Sequence, residues 1–157
     1  MQSITPVLWF NMNAEEAVNF YVATFPNSRI VSTTWYGEGA PVAAGTVLTV
    51  DFELDGLTLQ ALNGGPEFPF SEAVSLAVPV DSQEEVDRLW NTLIADGGAP
   101  SQCGWLKDSF GFSWQIIPKR LMQLMGSEDR AAANRVLVAM LQMTKIEIPV
   151  LEAAFRG

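Results

Sequence analysis

The sequence predicts an α+β fold built from two βαβββ units in tandem and closed by a helical C-terminal tail. Three observations predict it. Each half of the chain carries short runs of β-branched and aromatic residues around a single amphipathic helix pattern. Two stretches of the first half return in the second. Glu16-Ala17-Val18-Asn19-Phe20-Tyr21 matches Glu85-Val86-Asp87-Arg88-Leu89-Trp90, and Gly56-Leu57-Thr58-Leu59-Gln60-Ala61 matches Gly111-Phe112-Ser113-Trp114-Gln115-Ile116. Such a repeat points to one supersecondary unit used twice. Beyond residue 118 the spacing turns helical and stays so.

Residues 4–10 form the first expected strand. Asn13 is placed to cap a helix over residues 14–24, with Glu16 three positions on as in a capping box. Ala17, Phe20, Tyr21 and Phe25 make its apolar stripe, and Pro26-Asn27 ends it. Residues 29–36 read as the second strand, 37–45 as a loop of Gly, Ala and Pro, and 46–54 as the third strand. Asp55-Gly56 is the strongest hairpin signal in the chain, a two-residue turn that needs positive φ. Residues 57–63 follow as the fourth strand.

The pattern then repeats. Residues 75–80 are a strand, and Asp81 or Ser82 caps a helix over 83–95 with Val86, Leu89, Trp90 and Leu93 on one face. Gly97-Gly98 ends it, residues 101–108 hold one or two short strands, and 112–118 is the last strand. The units therefore span about residues 4–66 and 72–118, with the tail over 119–157. One long helix is expected over 128–143, and Pro149 starts a short last one. Val136, Met140 and Met143 share a face there. That stripe packs either on the protein's own sheet or on a second subunit, a place where methionine adapts well.

Composition narrows the function classes. The 157 residues are 48% hydrophobic and 17% charged, which suits one folded domain. Nine basic residues are scattered among eighteen acidic ones, giving a net charge of −9, so no basic stripe exists to engage nucleic acid. A single cysteine, Cys103, allows no intramolecular disulfide. A reactive thiolate normally needs a histidine or another cationic neighbour; histidine is absent, Lys107 is near in sequence, and Cys103 reads as a small core residue. Met1 to Phe10 lacks the pattern of a signal peptide, and no run approaches the ~18 apolar residues of a membrane span. A cytoplasmic location with no membrane partner is expected. The chain has no histidine, which removes the commonest general base and the commonest transition-metal ligand.

A set of motifs runs through nearly the whole chain. It comprises Trp9-Phe10 followed by Ala14-Glu15-Glu16-Ala17 and Phe20-Tyr21, then Phe25-Pro26-Asn27-Ser28 and Ala61-Leu62-Asn63-Gly64-Gly65-Pro66. It continues with Cys103-Gly104-Trp105-Leu106-Lys107-Asp108, Phe110-Gly111-Phe112-Ser113-Trp114-Gln115 and, in the tail, Met140-Leu141-Gln142-Met143. With the repeated βαβββ unit, these resemble the PhnB-like, or 3-demethylubiquinone 3-methyltransferase-like, branch of the vicinal-oxygen-chelate superfamily of glyoxalases, bleomycin-resistance proteins and extradiol dioxygenases. The resemblance implies a glyoxalase-like fold whose two units form a cleft, and a homodimer. It also implies a divalent metal held by one residue from the first and last strand of each unit. Carried onto this chain, those positions are Pro6, Gln60, Ser75 and Gln115. Proline offers only its backbone carbonyl, serine is a weak ligand, and two neutral amides leave a divalent charge unbalanced. No metal and no other cofactor is therefore expected.

The Asp55-Gly56 hairpin sets a register in which Asp51 faces Gln60 and Glu53 faces Thr58, all on one side of the strands. Asp51 and Glu53 then either lie on a solvated face, or Asp51 is a buried carboxylate able to act as a general base. Gln60 and Gln115 either orient a ligand across the cleft or bond to neighbouring side chains. By counting back from the helices, Leu8 and Phe10 share the side of Pro6 and join Ser75 as candidate ligand-binding residues. Trp9, Trp105, Trp114 and Phe68 read as core or as apolar walls of a pocket. Gly64-Gly65-Pro66 lacks the Gly-Lys-Ser/Thr and helix start of a phosphate loop. No strand, glycine-rich turn and helix of the adenosyl-binding kind is found.

The function expected is a metal-free protein that binds a small amphipathic ligand. The alternative is a metal-independent enzyme using Asp51 as base. A metal-dependent lyase or dioxygenase, or a methyltransferase, ranks last.

Overall fold

The computed structural model describes residues 4–157; Met1 to Ser3, part of the stretch inspected for a signal peptide, lie outside it. The chain divides into two compact units, Met1–Phe70 and Ser71–Gly157.

The first unit runs β1 (Val7–Phe10), α1 (Ala14–Thr24), β2 (Arg29–Trp35), β3 (Val47–Leu54) and β4 (Leu57–Asn63). Its sheet has the order β1-β4-β3-β2, with β1 and β4 parallel and the other neighbours antiparallel. One face buries Leu8, Phe10, Val50, Phe52, Leu54, Leu59 and Ala61, the period-two set that alternation dictates. Against it α1 buries Ala14, Ala17, Val18 and Tyr21, with the Tyr21 and Phe52 rings stacked at 6.4 Å. The hairpin between β3 and β4 is the expected two-residue turn. Leu54 pairs with Leu57, and Asp55 and Gly56 take φ of 44° and 88°.

The second unit repeats the plan with β5 (Ser75–Val80), α2 (Gln83–Ile94), β6 (Ala99–Pro100), β7 (Trp105–Lys107) and β8 (Ser113–Pro118), in the order β5-β8-β7-β6. Val86, Leu89, Trp90 and Leu93 of α2 are buried, as are Leu106, Trp114 and Ile116 of the sheet. Ser82 caps α2, its Oγ accepting the Glu85 N–H at 3.2 Å, while the Glu85 carboxylate accepts the Asp81 N–H at 2.7 Å. The sheets and the C-terminal helices together make this an α+β fold of tandem βαβββ type.

Three expectations change. Asn13 precedes α1 but makes no side-chain cap; the Ala14 N–H donates instead to Asn63 Oδ1 at 2.9 Å, from the end of β4. The tail holds not two helices but three: α3 (Lys119–Met125), α4 (Arg130–Met140) and α5 (Ile148–Arg156). Gly126 and the Asp129 cap, whose carboxylate accepts the Ala132 N–H at 3.0 Å, separate α3 from α4, and α4 stops at Met140. The stripe of Val136, Met140 and Met143 packs with Leu121, Leu124, Ile146 and Leu151, so it serves the chain's own core. Gln83 of α2 ties the tail down, donating to Ile146 O at 3.1 Å and accepting the Ile148 N–H at 2.8 Å. Cys103 is half-buried rather than core; at φ 57° it donates its N–H to Met143 O.

Candidate functional site

In the first unit the face away from α1 carries the polar register. Asp51 pairs with Gln60, Glu53 with Thr58, and Val7 with Gln60. These residues, with Thr5 and Val31, line a concavity of about 310 Å³. Gln60 Nε2 donates to Asp51 Oδ1 at 2.7 Å, and Ser32 Oγ donates to Asp51 Oδ2 at 2.7 Å. An ionised carboxylate only accepts, so Asp51 dictates which end of the Gln60 amide it meets. The carbonyl end is the one left over, and among the described residues it accepts no hydrogen bond. Glu53 is held by Arg29 through paired bonds of 2.9 and 3.2 Å. Hydrogen bonding from that guanidinium, together with its charge, keeps the Glu53 carboxyl below its ordinary pKa against the opposing effect of desolvation.

In the second unit the equivalent positions hold different chemistry. Gln115 pairs with Ala77 on one side and Trp105 on the other, and Ser113 pairs with Ser75 and Lys107. Gln115 Nε2 donates to Ser75 Oγ at 2.9 Å. Where the first unit places Asp51 beside its glutamine, the second places the Trp105 indole. Where the first has Glu53, the second has Lys107, paired with Glu72 at 2.5 Å.

Leu8 and Phe10 do not belong to this face. They are 6% and 2% exposed in the core, and Val7, 53% exposed, sits beside Gln60 in their stead. The reason is a loop. Three residues, Asn11 to Asn13, separate β1 from α1, whereas only Asp81 and Ser82 separate β5 from α2. Counting back from the helices therefore slips the first strand by one residue, and a slip of one exchanges faces. Register makes Thr5, not Pro6, the repeat partner of Ser75; Pro6 contributes its backbone carbonyl, which accepts the Gln60 N–H at 3.0 Å.

The remaining aromatics divide. Trp114 and Phe10 are core, and Trp105 is half-buried. Trp9 donates its indole N–H to Gly65 O at 2.9 Å and meets Phe68 edge to face at 5.0 Å. A Cβ on Gly64 would overlap the Trp9 ring, so this glycine serves close packing. Two buried polar residues carry structural weight that sequence reasoning missed. Asn63 holds α1, and Asp108 holds the β7–β8 turn. The Asp-x-x-Gly spacing at Asp108 is a turn signal that could have flagged the second.

A match to a family model extends over residues 2–117, that of 3-demethylubiquinone-9 3-methyltransferase. The chain belongs to that family. Among solved structures, a PhnB protein of the 3-demethylubiquinone-9 3-methyltransferase family from Bacillus cereus is 36% identical. The match covers 74% of this chain and 99% of that one, with a TM-score of 0.68. Protein PA1353 from Pseudomonas aeruginosa is 24% identical over 75% of this chain and 98% of its own, with a TM-score of 0.60. The fosfomycin resistance protein FosX from Listeria monocytogenes is 14% identical over 78% and 94%, with a TM-score of 0.55, and shares the fold. A search of curated proteins finds no match.

The PhnB-like resemblance thus holds at the level of family and fold. The metal that the wider superfamily uses does not suit the side chains present. The corresponding positions offer amides and hydroxyls, the chain has no histidine, and no group of three His, Cys, Asp or Glu gathers among the described residues. The sheets of this family member each contain one parallel pair, unlike the doubly wound sheet that binds adenosyl cofactors. No helix of the described residues is long and apolar enough to cross a membrane.

Proposed function

We propose that this PhnB-like protein is a metal-free small-molecule-binding protein, acting as a homodimer in the cytoplasm. The observation that carries the reading is the orientation of Gln60. Its amide nitrogen is engaged by Asp51, which leaves the carbonyl of a residue lining a concavity of about 310 Å³ for other donors. A pre-oriented carbonyl on a strand is a recognition element for a ligand N–H or O–H, and its rotamer is already paid for before binding. Gln115, steadied by Ser75, presents an amide of its own on the second unit. Asp51 fits the role of anchor better than that of base, because both its oxygens already accept protein hydrogen bonds.

A thermal-shift screen of small hydroxylated and amino-aromatic compounds, run with and without added zinc or magnesium, tests the proposal. Ligands are expected to raise the melting temperature equally in both conditions. Gln60→Ala should weaken them about fivefold, the worth of one neutral hydrogen bond. Stoichiometric divalent metal retained through dialysis would overturn the metal-free reading. Turnover of a bound compound that Asp51→Asn abolishes without loss of affinity would make the protein an enzyme instead.

The dimer has its own test. Sedimentation at micromolar concentration should give twice the 17.2 kDa chain mass, and a single species at monomer mass would refute it.

A further inference from the structure

The second unit contains a cavity of about 200 Å³ beside β6 and β7. It is lined by Glu72, by Pro100 and Ser101 at the sheet edge, and by Trp105, Lys107 and Ser113. Among the described residues, Ser113 Oγ is the buried side-chain polar atom with no hydrogen-bond partner. The residue is 1% exposed, so its hydroxyl has lost water without gaining a protein partner. A group left so is a cost to the fold, and such costs are kept where a ligand repays them. Lys107 pairs with Ser113 across the strands, so its long stem lies beside the hydroxyl. The Lys107–Glu72 ion pair is partly exposed on both sides, at 37% and 63%, and a pair of that kind holds its side chains weakly.

We infer that this cavity is a binding subsite for the carbonyl end of a flat, uncharged ring. Ser113 donates to the carbonyl oxygen, and the Lys107 ammonium flanks it. The Trp105 indole, on the same face, supplies the surface on which a ring lies. Glu72 already balances Lys107, and the chain carries a net charge of −9, so a carboxylate in the ligand's place is disfavoured. The subsite rests on the binding reading above and adds to it a place and a ligand class. Gln115 lies two residues along β8 from Ser113 on the same face, so a larger ligand can reach both.

The test uses benzamide and benzoate, alike in size and different in charge, titrated into the full-length protein and followed by assigned nuclear magnetic resonance spectra. Benzamide is expected to shift the Ser113, Lys107 and Trp105 signals saturably, and benzoate to bind at least about tenfold more weakly, a difference of about 1.4 kcal/mol. Ser113→Ala and the isosteric Ser113→Cys should each weaken benzamide about fivefold or more, as expected for one lost hydrogen bond. Ser113→Ala should also unfold at the same or higher urea concentration than the parent, because it removes a buried group without a partner. Tighter binding of benzoate, or unchanged benzamide affinity in both variants, overturns the inference. Saturable shifts at Gln60 and Gln115 with none at Ser113 would overturn the subsite while leaving the binding reading intact.

Discussion

Asp108→Ala should destabilise the second unit by about 3–5 kcal/mol, since it removes a buried carboxyl group that accepts from three donors at once. Asp108 is 2% exposed. Its Oδ1 accepts the Phe110 and Phe112 N–H groups at 2.9 and 3.0 Å, and its Oδ2 accepts the Trp114 indole N–H at 2.8 Å. The backbone closes around it, with the Asp108 N–H donating to Phe112 O and the Gly111 N–H to Asp108 O. The carboxylate therefore holds the β7–β8 turn and fixes the Trp114 ring, which meets Phe112 edge to face at 5.4 Å. Alanine takes away the acceptor of two backbone N–H groups and of the indole N–H, the Phe112 and Trp114 donors being buried. Asp108→Asn separates charge from geometry. Its oxygen can still serve both backbone groups, while its amide nitrogen meets the indole donor, so about half the loss is expected. Urea unfolding read by tryptophan fluorescence measures both, as a fall in midpoint at unchanged slope. A midpoint within error of the parent for Asp108→Ala would show that the turn stands without the carboxylate.

Asn63→Ala is expected to cost about 2–3 kcal/mol, while Asn13→Ala, at the residue that precedes the same helix, costs less than about 0.5 kcal/mol. Asn63 is 2% exposed and bonds at both ends of its amide. Oδ1 accepts the Ala14 N–H at 2.9 Å, and Nδ2 donates to Val47 O at 3.0 Å. Its own carbonyl accepts the Tyr36 hydroxyl at 2.6 Å. One side chain thus joins α1, β3 and β4. Removing it leaves a helix-terminal N–H and a strand carbonyl without partners in the interior. Asn13 makes no side-chain cap, so truncating it removes little. The same urea measurement decides, and equal losses at the two positions would return the cap to Asn13.

The contrast between Asn13 and Asn63 marks how far the sequence reads. Helix caps are judged from neighbours in the chain, and Asn13 followed by Glu16 has the right local pattern. The second unit follows the local rule: of the two caps its sequence offers, Asp81 and Ser82, it is Ser82 that caps α2, with Glu85 reaching back to the Asp81 N–H. In the first unit a residue far along the chain takes the position, and no local pattern reports a donor satisfied from another strand. The missed α3 has a similar cause. Seven residues are too few for periodicity to identify, and the helix is held by burying Leu121 and Leu124 in the tail cluster.

The candidate site was legible in part for the same reason. The hairpin at Asp55-Gly56 is local, so the pairing of Asp51 with Gln60 followed from turn length alone and the structure has it. Leu8 and Phe10 were assigned by counting through a loop, and one additional residue in that loop moved them to the core. The sequence by itself determined the repeated βαβββ plan, the hairpin register, the lack of histidine and the family, because each depends on neighbours in the chain or on composition. Tertiary structure alone decided which side of β1 lies beside Gln60, how Asp51 turns that amide, and that the Ser113 hydroxyl is buried without a partner. These depend on contacts between strands distant in sequence, where a shift of one residue reverses the face and no local signal records it.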